Sequence, residues 1–286
     1  MLHFDRVCKV IIEGVRIITI ENCKIRFEII KSKNAKENTA KVEIYNLAPN
    51  TRKLITEQEA LVRIFAGYAQ NKGLIEIGQG DISKVKHNRD KTEVVTEIYM
   101  AEGIRIIRDN PISISFSSKS KLKLSNVLDT LRTKINNKYS FRLIDIDESK
   151  TIENGYSDMG SLDQILNNLG MPFYFGWSIQ NSTITIKGTK KSVANEIMLL
   201  TPSSGLILHP ESVKQVPRKL GKSDITKQDR KINSIQALLQ PHLQIHDIIA
   251  IESQDLKGKY EIQKITHKGD TRGNDWYSDM EVVSLN

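Results

Sequence analysis

The sequence predicts a mainly β fold interrupted by a small α+β domain, and three observations carry that prediction. Over the first hundred residues apolar side chains recur at every second position. From about Ser120 the apolar period lengthens to 3.6, and from about Met198 the two-residue period returns. The expected order is β domain, α+β domain, β domain, over residues 1–110, 111–195 and 196–286.

In the first segment Ile25, Phe27 and Ile29 alternate with Arg26, Glu28 and Ile30, ahead of a Lys/Asn-rich turn at 31–38. Ala40, Val42 and Ile44 then alternate with Lys41, Glu43 and Tyr45, the pattern of an antiparallel sheet wet on one face. Further strands are expected over 61–68, 74–77, 82–87 and 92–101, with turns at Asn71-Lys72-Gly73 and Asn88-Arg89-Asp90. Short strands at this spacing suggest a barrel or a sandwich. Between Asn46 and Glu59 a short helix is expected, capped by Asn50 and lying over one end of that sheet.

In the middle segment Val127, Leu128, Leu131 and Ile135 fall on one helical face, with Ser125 as the expected cap. Phe141, Leu143 and Ile144 read as a strand. A second helix is signalled by Ser161 at its start, Leu162, Ile165, Leu166 and Leu169 on one face, and Gly170 as its stop. Residues 173–177 and 183–187 then read as a hairpin joined around Gln180-Asn181. In the last segment strands are expected over 248–252, 260–267 and 276–284. Turns are expected at Asp255-Leu256-Lys257-Gly258 and Lys268-Gly269-Asp270.

Composition narrows the function classes. With 286 residues, 39% hydrophobic and 27% charged, the chain can bury a core, and wholesale disorder is excluded. Its longest apolar stretch, 10–20, is broken by Glu13, Gly14 and Arg16, so no membrane-spanning segment is expected. The start of the chain lacks signal-peptide features, and folding in a bacterial cytoplasm is the expectation. Cys8 and Cys23 have no metal or redox spacing and are expected to be buried, reduced thiols. The net charge of +8 permits contact with nucleic acid or anionic surfaces without requiring it.

Two stretches carry a family resemblance. Residues 40–52, Ala-Lys-Val-Glu-Ile-Tyr-Asn-Leu-Ala-Pro-Asn-Thr-Arg, resemble the first barrel of phage baseplate hub proteins, where a strand ends in a Tyr-Asn-Leu turn before a short helix. Gly258-Lys259-Tyr260-Glu261-Ile262, followed by residues 267–277, resembles the closing hairpin of the same hubs. Residues 204–207 and 238–243 fit that family's pattern around its second barrel. The resemblance implies two tail-tube-like β-barrel domains flanking the α+β domain, and three copies of the chain in a ring. Three chains with two related barrels each give six quasi-equivalent positions, which can join a hexameric tail tube to a trimeric central spike. It further implies a homotrimer in the virion tail baseplate, with the tube protein, the spike protein and other baseplate proteins as partners. DNA or cargo would pass transiently through the ring.

The residues offer little chemistry, and the expectation is a non-enzyme with no cofactor, no metal and no catalytic residues. His242 and His246 have the i, i+4 spacing of zinc enzymes, but the intervening residues lack a glutamate and Pro241 opposes a helix. His267 and Asp270 are expected to order a hairpin turn rather than to act as acid and base. Asp145, Asp147, Glu148 and Glu153 are expected in a solvated loop, although paired carboxylates can cleave glycosidic bonds. Phe173, Tyr174, Phe175 and Trp177 could stack on sugars or bases, but strand alternation favours packing on the second helix. These two clusters carry the alternative reading, a cell-wall-active tail enzyme or glycan-binding tail module. Residues 214–231 hold seven basic residues against two acidic ones. Within them Arg218, Lys219, Lys222, Arg230 and Lys231 are the candidate interface, facing neighbouring subunits or passing DNA.

Overall fold

The computed structural model describes residues 5–33, 38–71, 73–103, 111–117, 121–135, 139–153, 155–188, 197–213, 232–254 and 256–285. The fold is mainly β with an α+β insertion. The first region runs β1 (Arg6–Glu13), β2 (Ile17–Ile20), β3 (Ile25–Ser32), β4 (Thr39–Tyr45), α1 (Pro49–Glu57), β5 (Leu61–Tyr68), β6 (Gly73–Asp90) and β7 (Glu93–Ala101). The insertion holds β8 (Ile112–Phe116), β9 (Leu122–Lys123), α2 (Leu124–Lys134), β10 (Ser140–Ile144), β11 (Thr151–Ile152), β12 (Tyr156–Gly160), α3 (Leu162–Phe173), β13 (Phe175–Gln180) and β14 (Thr183–Gly188). The last region holds β15 (Met198–Leu200), β16 (Leu206–Val213), β17 (Ile232–Leu238), β18 (Ile248–Glu252), β19 (Lys257–Asp270) and β20 (Trp276–Ser284).

The outer regions share one sheet. Its hydrogen-bonded path is β16-β17-β20-β19-β3-β4-β7-β6-β5-β1-β2, with β18 on β19 and β15 on β18. The join is β19, which pairs β18 through its first residues and β3 through its last, with Lys264 opposite Ser32 and Asp270 opposite Arg26. Backbone hydrogen bonds therefore tie the two regions together, so neither can rotate away without breaking a ladder. In the insertion β10 and β13 flank β14, the first parallel to it and the second antiparallel.

Buried side chains form three clusters, one for each stretch of chain, with one exchange. Leu239 and Trp276, from the last region, sit in the first cluster. Trp276 is fully buried and meets Phe27 edge to face at 5.5 Å, so the seam is apolar as well as hydrogen-bonded.

The first two helices start two residues ahead of expectation and the third where it was expected. Pro49 opens α1 after Ala48, because a proline at the first turn gives up only an N–H that has no helical partner; Asn50 lies inside the helix. Leu124 opens α2 after Lys123, and Ser125 lies in its first turn. Ser161 does cap α3, and its N–H donates to Gln164 Oε1 at 3.1 Å.

Four glycines that lie between or at the ends of expected elements serve close packing instead. Gly78 and Gly80 lie inside the single strand β6, where a Cβ would come within 2.9 Å of Ile29 and of the Ala101 backbone, so the two expected strands are one. The turn falls at Lys91 and Thr92, not at 88–90. Gly170 does not end α3, which runs on to Phe173 and closes at Tyr174 in the left-handed conformation, φ 56°. A Cβ at Gly170 would lie 2.8 Å from Phe175 O, so its role is to let β13 approach. Gly269 lies within β19, and its Cβ would strike the Phe27 ring at 2.2 Å.

Candidate functional site

The insertion meets the first region at a polar junction built around the β13–β14 turn. Asn181 and Ser182 form that turn with positive φ, and their polar groups are delivered into the saddle between β3, β6 and the end of β7. Lys31 Nζ donates to Asn181 Oδ1 at 2.9 Å, and Ser182 N–H donates to Glu102 Oε1 at 3.1 Å. Gln180 Nε2 donates to Ser32 O at 2.9 Å, and Gln79 Nε2 donates to Ser182 Oγ. Asn38 Nδ2 donates to Glu102 Oε2 at 3.3 Å and to Ile179 O, while its own Oδ1 accepts from Ser32 N–H at 2.9 Å. Lys31 and Glu102 are 4% and 6% exposed. Burial pushes the Lys31 ammonium down and the Glu102 carboxyl up, and each charge partly restrains the other's shift.

A second contact links β14 to β19. Lys187 Nζ donates to Glu261 Oε1 at 2.6 Å, and His246 Nδ1 lies 3.0 Å from the same oxygen. His246 Nε2 lies 3.4 Å from Ser178 Oγ. The order serine, histidine, carboxylate is that of a nucleophile triad, and the sequence reading missed it because the three residues lie on separate elements. Ser178 is fully buried, so a substrate carbonyl has no approach to its hydroxyl. Desolvation would raise the Glu261 carboxyl, but hydrogen bonds from His246 and Lys187 prevail and hold it at about 2. The arrangement is a clamp across the junction, carried by a carboxylate with two donors.

His267 is also buried here, with no exposed surface, and its Nδ1 lies 2.9 Å from Ser278 Oγ. It sits on strand β19 and not in the turn, because the two-residue alternation carries it inward. Asp270 orders the turn instead, accepting from Arg272 N–H at 2.8 Å. Burial, with Lys31 nearby, lowers His267 from 6.5 to about 3. The fold thus accepts only the neutral imidazole. Its contribution to stability is complete above pH 6.5 and is lost as pH falls towards about 3, because the unfolded chain takes up the proton first. His267→Gln should flatten the fall in unfolding free energy between pH 6.5 and 4.5 by up to about 1.4 kcal/mol per pH unit, read by urea titrations across that range. An unchanged slope would show that His267 does not set it.

The remaining candidates separate. His242 and His246 lie among turns at 241–246, with His246 at φ 73°, and do not share a helix face. Asp147 Oδ1 accepts from the N–H and hydroxyl of Ser149 in an exposed loop. Phe173 and Tyr174 end α3 rather than beginning a strand; Phe173, Phe175 and Trp177 join the insertion's core, and Trp177 Nε1 donates to Asn167 at 3.0 Å. Tyr174 stays exposed, with Lys150 5.9 Å from its ring. Both cysteines are free thiols; burial pushes Cys8 up to about 12, whereas Cys23 is only partly buried. Arg218, Lys219, Lys222, Arg230 and Lys231 lie outside the described residues. Among the described residues no metal-binding group occurs, and no helix is long and apolar enough to cross a membrane.

The outer face of the shared sheet is a belt of ion pairs. Lys41 bridges Glu43 at 2.6 Å and Glu97 at 3.5 Å, Arg26 bridges Glu43 and Asp270 at 3.4 Å each, and Lys268 bridges Glu28 and Asp279. A shallow groove of about 170 Å³ crosses it between Arg26, Lys41 and Lys268. It is smaller than the roughly 300–1,000 Å³ of small-molecule sites, and its charges are already paired.

No protein-family model and no curated protein matches this chain. Its fold is shared with solved tail proteins. The prophage MuSo2 43 kDa tail protein from Shewanella oneidensis superposes with a TM-score of 0.65 at 9% identity, over 97% of this chain and 98% of that one. The tail protein from Neisseria meningitidis MC58 gives 0.68 at 8% identity, over 99% and 97%. The Escherichia coli c3393 protein, a type VI secretion component similar in structure to T4 bacteriophage tail proteins, gives 0.58 at 9%, over 96% and 77%. These likenesses establish the fold.

Proposed function

With the fold of phage tail baseplate proteins as the premise, we propose that the chain is a structural hub subunit of a phage or phage-like tail. The observation that supports this best is the extent of the likeness, which covers 97% and 99% of this chain and 98% and 97% of two tail proteins. A partial match would leave room for an added enzymatic unit; an end-to-end match favours the same kind of part. The shared sheet fits such a part, since a subunit under axial load needs its β regions joined by a ladder rather than a linker.

Three copies form a ring in this reading, with residues 1–110 and 196–286 as its six tube-like positions and 111–195 as the insertion between them. The ring adapts the hexameric tail tube to the central spike, contacts other baseplate proteins and lets DNA or cargo through. The chain is made in the host bacterial cytoplasm, works in the virion tail and catalyses nothing. Arg218, Lys219, Lys222, Arg230 and Lys231 serve as a contact to a neighbouring chain, because a conduit that neutralised many phosphates would bind DNA and slow its transit. The test is the number and arrangement of copies in purified tail particles. The same images should set these five side chains against a neighbour.

A further inference from the structure

The two β regions repeat one another strand for strand. The first has the order β3-β4-β7-β6-β5 and the last β16-β17-β20-β19-β18, every pair antiparallel. Their long strands correspond residue by residue. β6 has a bulge between Ile82, opposite Met100, and Lys84, opposite Tyr99; β19 has one between Ile262, opposite Val282, and Lys264, opposite Glu281. At the near side of each bulge Ile82 N–H donates to Ala60 O and Ile262 N–H to Asp247 O. At the far side His87 Nδ1 lies 3.2 Å from Thr96 Oγ1, and His267 Nδ1 lies 2.9 Å from Ser278 Oγ. Bulges mark particular positions in a sheet, so this agreement matches residues 84–90 to 264–270 and, through the strand order, β16 to β3.

One contact lacks its counterpart. Residues 264–270 of β19 pair β20 on one edge and β3 on the other, and Ile265, His267, Gly269 and Asp270 are buried. Residues 84–90 of β6 pair β7 alone among the described residues, and Lys84 and residues 86–90 are exposed. Strand β3 has two partners, whereas β16 has β17 alone among the described residues. Each chain therefore carries both halves of a second seam, as two strand edges with unpaired backbone groups.

We propose that these edges meet between copies: residues 84–90 of one chain pair antiparallel with β16 of the next, repeating across the subunit boundary the β19–β3 ladder within the chain. The inference rests on the ring reading and supplies the contact that reading needs. One edge meets a different edge, which builds a ring rather than a two-fold dimer. The register follows from the repeat. Ile29 lies opposite Ala40 and Ser212 opposite Asn233, and Ala40 and Asn233 face Met100 and Val282, the partners of Ile82 and Ile262. In the chain's own seam His267 lies opposite Ile29 and Lys268 opposite Glu28. Between copies His87 accordingly falls opposite Ser212, and Asn88 opposite Glu211.

The test uses assembled particles. Directly opposed residues of an antiparallel ladder have Cα atoms about 4.5–5.5 Å apart, within reach of a disulfide. Asn88→Cys with Glu211→Cys in one chain, oxidised in the particle with diamide, should give a covalently closed trimer on non-reducing gels. Mass spectrometry should map the 88–211 link. Moving the second cysteine one residue out of register, to Ser212→Cys, should cut linking at least about fivefold, because alternate residues face opposite sides. In the unaltered chain the amides of residues 84–90 and 208–213 should exchange at least about tenfold more slowly in particles than in the isolated chain. No 88–211 link in particles that contain the variant, a link within one chain, or unchanged amide exchange would overturn the seam. Particles that hold the unaltered chain in any arrangement other than a three-copy ring would overturn the ring reading, and the seam with it.

Discussion

Trp276→Ala should lower the stability of the whole chain by about 3–5 kcal/mol, the usual cost of deleting a large aromatic from a packed core. Trp276 is carried by the last strand but packs in the core of the first region, against Phe27 and beneath the Arg6 guanidinium 5.6 Å away. Its loss opens a void at the seam where β19 pairs β3, so both β regions should unfold earlier and together. The remaining tryptophan, Trp177, lies in the insertion and reports that region separately by fluorescence. A urea titration should show the β signal by circular dichroism lost in one earlier transition. A loss under about 1 kcal/mol, or two separated β transitions, would mean the regions are independent.

Lys31→Met should cost about 3 kcal/mol, because it removes the cation that balances a buried acid and strips Asn181 of its donor. Glu102 would then be buried with the ammonium gone, held by Ser182 N–H and Asn38. Neutralising it as well, in K31M/E102Q, removes the reason for most of that penalty. The double variant should therefore be more stable than the sum of the single effects by about 1 kcal/mol or more. Strict additivity in denaturation would show that the two groups do not communicate across the junction.

The sequence displays some elements openly and hides others for definite reasons. Strands β3 and β4 were legible because one face is core and the other water, so Val42 and Ile44 alternate with charged neighbours. Helix α3 was legible from Ser161 and its leucine face. Its end was misplaced because a glycine that admits a neighbouring strand looks the same, in sequence, as one that ends a helix; Gly170 is the former. The same ambiguity at Gly78 and Gly80 split β6 in two, and at Gly269 it cut β19 short. The pairing of β19 with β3 joins residues more than two hundred apart, and no local pattern encodes it. The junction was invisible for another reason. Lys31, Asn38, Asn181 and Ser182 have the composition of solvated turns, and only the fold brings them together and buries Lys31 and Asn38. His267 misled similarly, since a histidine near Gly269-Asp270 suggests a hairpin turn while strand alternation buries it.

The central claim is that this chain is a ring-forming part of a tail, and electron microscopy of purified tail particles tests it most directly. The prediction is three copies around the axis at the end of the tube, each placing its two β regions as neighbouring positions in a six-part ring. A particle with the chain present as a dimer or a six-copy ring, or a tail that assembles normally without it and loses only its ability to degrade cell wall, would contradict the account.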